Sequence, residues 1–244
     1  MSKLIHITTD IADNLSTQGF QAISNDAFYI NAKLNQDTAK FAEAYNNLEI
    51  DQYVLNKEGK SYRKRRYGSF TFDIKNNTLI PNEHRSFFQS KEANKAYGGI
   101  KRDFAPIETH ILNNQFLQEL IKADFNKFPQ QDKELSQKWF IGVQMFRIEA
   151  TKEFQGSPSP EGIHQDEHYF VVQHMINKQN VKGGESTIYT LNKEKIVSLT
   201  LHHFLDSCYV KDQQVMHDVT SIECHDNNEI AIRDMLILDF EVMD

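Results

Sequence analysis

Cysteine is scarce in this 244-residue sequence, which has only Cys208 and Cys224. Two thiols cannot build a four-thiolate zinc site or a disulfide framework. Two reduced thiols in a reducing compartment are the expectation. No apolar run is long enough to cross a bilayer, and the first thirty residues lack a basic start followed by an apolar stretch, so neither a membrane span nor a secretory signal is expected. A cytoplasmic location follows by default. Positive charge is in deficit as well, with 27 Lys and Arg against 34 Asp and Glu, a formal net charge of -7. That balance argues against nucleic acid or an anionic membrane as the main partner, since both reward a basic surface. There is no internal repeat, no low-complexity tract and no Pro/Gly/Ser linker to divide the chain. Hydrophobic residues make up 39% and charged residues 25%, enough for an ordinary buried core. One domain over 1–244 is expected, with a variable part over 1–60 and a β core over 139–244.

The first half reads as mixed. Phe41, Ala42, Tyr45 and Leu48 recur at helical spacing between Asp37 and Leu48. Arg65 to Ile74 is strand-like and closes on an Asn76-Asn77 turn. A further helix is predicted from Pro106, a good first-turn residue, with Ile107, Ile111, Phe116, Leu117, Leu120 and Ile121 as its apolar stripe, ending before Pro129. The second half reads as strands at 139–148, 169–176, 186–189, 197–204, 214–222 and 235–242, rich in Val, Ile, Phe and Tyr. The fold class that follows is mainly β with added helices: a jelly roll, cupin-like, with the N-terminal helices packed on one face.

Chemistry concentrates in Pro160-Glu161-Gly162-Ile163-His164-Gln165-Asp166-Glu167-His168. On an extended strand, i and i+2 share a face roughly 6.5 Å apart, from which an imidazole and a carboxylate can converge on one ion. His164 and Asp166 are thus two legs of a candidate 2-His-1-carboxylate site, an arrangement that leaves open positions for O₂-activating iron(II). The bland reading is a polar strand end with a His–Asp pair. His217 is the preferred third leg, in a strand-like stretch late enough to return beside the first strand. His168, in phase with His164 and Asp166, is the competing one. Arg233 opens the most apolar strand of the chain. It can clasp a carboxylate in bidentate fashion or pair with Asp234 or Glu241.

Three further residues have a functional and a bland reading side by side. Arg66, in the basic run Arg63-Lys64-Arg65-Arg66, can bind a substrate carboxylate or belong to a solvated charge run. Arg147, between Phe146 and Ile148, needs a partner if buried: substrate, cosubstrate, Glu149 or Glu153. Glu167 can accept a substrate ammonium. Gly183-Gly184 reads as a tight turn, and Trp139 as core.

Taken together, these residues resemble the bacterial 2-oxoglutarate/iron(II) dioxygenase family that includes the L-isoleucine hydroxylases. The resemblance is carried by Arg65 to Phe70, Tyr97 to Phe104, Phe146 to Ile148, Pro160 to Asp166, Val181 to Ser186, Met216 to Thr220 and Ile232 to Asp234, in family order. It implies a double-stranded β-helix with iron(II) on His164, Asp166 and His217, and with Arg233 on the distal carboxylate of 2-oxoglutarate. O₂ would be consumed, with succinate and CO₂ formed and the substrate hydroxylated. Where the family commonly has a small residue after the motif aspartate, this chain has Glu167 and His168. The implied substrate is a free aliphatic or thioether L-amino acid, its carboxylate met by Arg66 or Arg147, its ammonium by Asp103 or Glu167, and its side chain by Phe70, Phe104 and Ile163. The alternatives are a non-enzymatic cupin-like metal- or ligand-binding protein and a metal-dependent hydrolase or isomerase on the same fold, with Glu167 or His168 as base.

Overall fold

The computed structural model describes residues 3–92 and 94–243. Its backbone is an antiparallel sheet of eight strands. Along one path they run Phe20–Ile23, Ser207–Val210, Phe170–Gln179, Ala231–Val242, Lys138–Ala150, Arg63–Asp73 and Glu49–Ile50, with Thr78–Pro81 also paired to Arg63–Asp73. A smaller antiparallel sheet orders Lys195–Leu199, Ser186–Tyr189 and Met216–Val219. Val171, Cys208 and Val210 of the large sheet share one apolar cluster with Ile188 of the small one, so the two sheets pack face to face.

The period-2 pattern of the long strands decides what each face does. Ile141, Val143 and Met145 alternate with Gly142, Gln144 and Phe146; Leu236, Leu238 and Phe240 alternate with Met235, Ile237 and Asp239. The first set of each joins the main core with Phe41 and with Phe116, Leu117, Leu120 and Ile121 of the Gln115–Phe125 helix. Those four helix residues are fully buried, each stabilising the fold by about 1.5–3 kcal/mol. The second set looks toward the small sheet and builds the cavity described below. Helices thus cover one face of the large sheet, as the sequence suggests.

Several boundaries differ from the sequence reading. The helix predicted from Pro106 is two helices, Thr109–Leu112 and Gln115–Phe125. Asn114 is extended between them, and its side chain caps the second by accepting from Leu117 N at 3.2 Å. Pro106 instead lies in a parallel bridge with Tyr67. The Asp37–Leu48 stripe spans an α-helix, Asn35–Glu43, and a 3₁₀ turn, Ala44–Asn47. The predicted 197–204 strand is Lys195–Leu199, and 214–222 is two strands, Met216–Val219 and Ile222–Cys224. Ser207–Val210 has no counterpart in the sequence reading. It is only four residues long, and all four are buried, so it shows none of the alternation that betrays a half-buried strand. Gly183 and Gly184 do form a turn, with φ of +82° and +70°. A Cβ on Gly183 would lie 2.3 Å from Ser221 O, so only glycine fits there. Trp139 is fully buried, and both cysteines are buried and free.

Candidate metal centre and its cavity

His164 and Asp166 are not on a regular strand. Their segment is a loop held to the small sheet by an isolated bridge, in which His164 and His217 exchange backbone hydrogen bonds at 3.0 Å each way. This brings His217 beside the pair. A second tie comes from Asp212, whose carboxylate accepts from the backbone N–H of Asp166, Glu167 and His168 at 3.0, 2.8 and 3.3 Å. These bonds turn the loop sharply, and Glu167 takes a left-handed φ of +64°.

The three candidate ligand atoms lie within 4.8 Å of one another. His164 Nε2 is 3.5 Å from Asp166 Oδ1, and His217 Nε2 is 3.4 Å from Asp166 Oδ2. Atoms bound to one ion at about 2.1 Å sit about 3 Å apart, so a small contraction would close the set on a metal. His164 Nδ1 donates to Gly162 O at 2.8 Å, which leaves Nε2 with the lone pair facing Asp166. The site calls for positive charge. Burial opposes a charged Asp166, yet His217 and His164 hold its carboxyl well below the usual carboxylate range. Two imidazoles and one carboxylate with room on the remaining side are the donor set of non-haem iron(II). His168 is not part of it. Its ring lies 3.0 Å from Glu241 and 3.7 Å from Asp239.

A cavity between the two sheets opens on this cluster. Arg233 lines it and is 3% exposed, and its Nε and Nη2 have no hydrogen-bond partner among the described residues. Burial alone lowers its pKa to about 10. A buried guanidinium without a counter-charge is costly unless a ligand supplies one. It pairs with neither Asp234 nor Glu241. Asp234 belongs instead to Arg147, which donates to both its oxygens at 2.7 and 2.8 Å. Strand parity puts that pair on the helix-covered face, away from the cavity. Arg66 shares that face, where it donates to Asn47 O, Pro106 O and Glu49. Its out-of-phase neighbours Arg63 and Arg65 line the cavity instead. Glu167 does not line it either; its carboxylate accepts from the backbone N–H and hydroxyl of Ser90 and so fastens the 82–104 loop over the site. Phe70 is in the main core, Ile163 lies outside this cavity, Phe104 lies under Arg65, and Asp103 is exposed beside His84. The apolar lining comes from Phe87, Phe146, Met235, Ile237 and Val219.

Sequence reasoning singled out none of four charged residues of the cavity wall: Arg63, Arg65, Arg102 and Glu161. Parity was the available signal for two of them. Phe70 and Phe72 point into the helix-covered core, so Arg66 shares their face and Arg63 and Arg65 take the other.

The profile of the 2OG-Fe dioxygenase family matches residues 42–239, and the chain belongs to that family. Its cofactors are iron(II), 2-oxoglutarate and O₂, and the His–Asp–His cluster and the unpaired Arg233 suit the first two. The chain is 29% identical over 226 residues to L-isoleucine-4-hydroxylase of Bacillus thuringiensis, covering 92% of this chain and 91% of that one. It is 26% identical over 246 residues to 3(1)-hydroxy-L-isoleucine 4-dioxygenase of Pantoea ananatis, covering 95% of each. The crystal structure of IDO from Bacillus thuringiensis superposes with a TM-score of 0.79 at 26% identity, over 95% of this chain and 97% of that one. The fold is accordingly the double-stranded β-helix. No described helix is long and apolar enough to cross a membrane.

Proposed function

We propose that this enzyme hydroxylates a free aliphatic or thioether L-amino acid, with 2-oxoglutarate and O₂ as cosubstrates. His164, Asp166 and His217 hold the iron(II), and Arg233 receives the distal carboxylate of 2-oxoglutarate. The observation that carries the reading is Arg233: buried, unpaired among the described residues, and on the same cavity as the three candidate ligands. A structural or sensing metal site has no use for an uncompensated guanidinium facing it. The two bases the sequence offers for a hydrolase, Glu167 and His168, are both engaged elsewhere. The relatives named above support an amino acid as substrate.

Bound iron with 2-oxoglutarate supplies O₂ activation, which ends in succinate, CO₂ and an oxygen atom inserted into a substrate C–H bond. The protein's own work is positional. Gly162 O orients His164, and Asp166 faces both histidines. Arg233 fixes one end of the cosubstrate by a charge-assisted contact in a desolvated site. Phe146, Met235, Ile237 and Val219 surround the reacting carbon with apolar surface and keep water away. An apolar wall separates side chains differing by one methylene by only about 1–3 kcal/mol, so several aliphatic amino acids should react. The test is a panel of the twenty free amino acids with iron(II), 2-oxoglutarate, O₂ and ascorbate, read by mass spectrometry for one added oxygen and by succinate release. Turnover confined to peptidyl or N-acylated substrates would overturn the substrate class and leave the oxygenase chemistry standing.

A further inference from the structure

The cavity wall holds more cationic charge than the cosubstrate needs. Arg63, Arg65 and Arg102 are 5%, 3% and 2% exposed, and all three line the cavity. Asp51 is the one carboxylate in ion-pair range of any of them among the described residues. It is committed to Arg63, whose Nε donates to it at 2.8 Å, and lies 3.9 Å from Arg65. Arg65 otherwise donates to the neutral amide of Gln144, and Arg102 to that of Gln89 at 2.6 Å. Among the described residues, Arg65 Nε and Arg102 Nε have no hydrogen-bond partner. Arg65 and Arg102 therefore have no carboxylate committed to them among the described residues. They are also held rigidly: the Arg65 guanidinium lies 3.5 Å from the Phe104 ring centroid and 4.2 Å from that of Phe146.

This pair is linked to the metal cluster by one side chain. Gln89 accepts from Arg102 through its oxygen, and its amide nitrogen lies 3.5 Å from Asp166 Oδ1. Glu161 stands on the same side. Its Oε1 is 3.3 Å from His164 Nε2, its Oε2 is buried without a partner among the described residues, and its charge bears on Arg102. An anion acceptor and a cation acceptor thus sit together, one amide away from the metal cluster. An α-amino acid carries its carboxylate and ammonium on adjacent atoms, with a short side chain beyond them.

We infer that Arg65 and Arg102 receive the substrate's α-carboxylate and Glu161 its α-ammonium, an inference that rests on the amino-acid reading above. The arrangement reads the zwitterion, so the enzyme discriminates at the head of its substrate more than at the side chain. Peptidyl substrates are refused because they lack one of the two charges.

The test uses the iron(II)- and 2-oxoglutarate-loaded enzyme under nitrogen, with binding measured by calorimetry. The ligands are the best amino acid of the panel, its α-amide and its deamino acid. Wild type should bind each analogue ~100-fold more weakly than the parent, as expected when one partner of a buried charge pair is removed. Arg102→Gln should weaken the parent ~100-fold and leave the amide unchanged. Glu161→Gln should weaken the parent and leave the deamino acid unchanged. The affinity for 2-oxoglutarate should stay within about threefold in both variants, because Arg233 and the metal hold it. Equal binding of parent and analogues by wild type would overturn the inference, as would parallel weakening of parent and amide in Arg102→Gln. If a variant fails to fold, the wild-type analogue series alone decides. If wild type binds no free amino acid, the substrate reading itself fails and the clamp falls with it.

Discussion

Replacing Arg233 by Met keeps the apolar stem and removes the guanidinium, which separates two effects of one residue. In the ligand-free protein the charge is a burden. Arg233 is 3% exposed and its pKa falls from the usual arginine range to about 10 through burial alone. A depression of that size corresponds to about 3 kcal/mol. The sign follows from linkage: the folded state holds this proton less tightly than the unfolded chain, so the cost is fully present below pH 10 and disappears only above the usual arginine pKa. At neutral pH, Arg233→Met should therefore stabilise the ligand-free protein, raising its unfolding midpoint by several degrees at about 2–4 °C per kcal/mol. With 2-oxoglutarate the order reverses. Losing a desolvated charged contact costs about 2–5 kcal/mol, or ~30- to several thousand-fold in affinity. At a concentration of 100 times the wild-type Kd, the cosubstrate stabilises wild type by about 2.7 kcal/mol. The variant should gain less than about 1 kcal/mol under the same conditions. Differential scanning calorimetry on the metal-loaded protein, with and without 2-oxoglutarate under nitrogen, reads both effects. Equal shifts for the two proteins would return Arg233 to a packing role.

His164→Ala, Asp166→Ala and His217→Ala should each abolish bound iron and turnover with the circular dichroism spectrum retained, whereas His168→Ala should keep its iron by elemental analysis; the reverse pattern would move the third ligand to His168. Asp51→Asn should cost about 3–5 kcal/mol, since it strands the buried Arg63 and removes the carboxylate 3.9 Å from Arg65. Burial works against the Asp51 charge, but Arg63 and Arg65 more than offset it and hold the carboxyl below its usual range. Its contribution is therefore present above the ordinary carboxylate pKa and lost as pH falls through the depressed value. Urea midpoints should consequently converge between wild type and Asp51→Asn below about pH 4, and a gap that persists into acid would refute that assignment.

The parts of the site readable from sequence were those whose chemistry is local. The Pro160 to His168 segment carries its donors within three positions. Arg233 stands out as a lone cation beginning an apolar strand, and both features survive any error in strand boundaries. Arg66, Arg147 and Glu167 were harder because their partners are distant in the chain. Asp234 takes Arg147 and Ser90 takes Glu167, and only the packed sheet and the covering loop bring those partners in. The basic run hid its own parity, since four consecutive charges look alike until the strand's apolar residues assign them to faces. The jelly roll itself followed from the β-rich second half. The break at Asn113-Asn114 did not, because an apolar stripe continues in phase across two helices that these two asparagines separate.

The double fastening of the metal-binding loop has a consequence for how the protein acquires its metal. His164 and His217 are joined through the backbone, and Asp212 grips the next three amides. The two segments that carry the ligands are thus spliced together by bonds that involve no metal. The entropy of gathering three donors is lost when the chain folds, not when an ion arrives. Iron capture is then decoupled from folding, unlike in small zinc domains whose apo forms are unfolded. The empty protein should persist as a stable receptor that can be loaded, stripped by a chelator and reloaded without passing through an unfolded state.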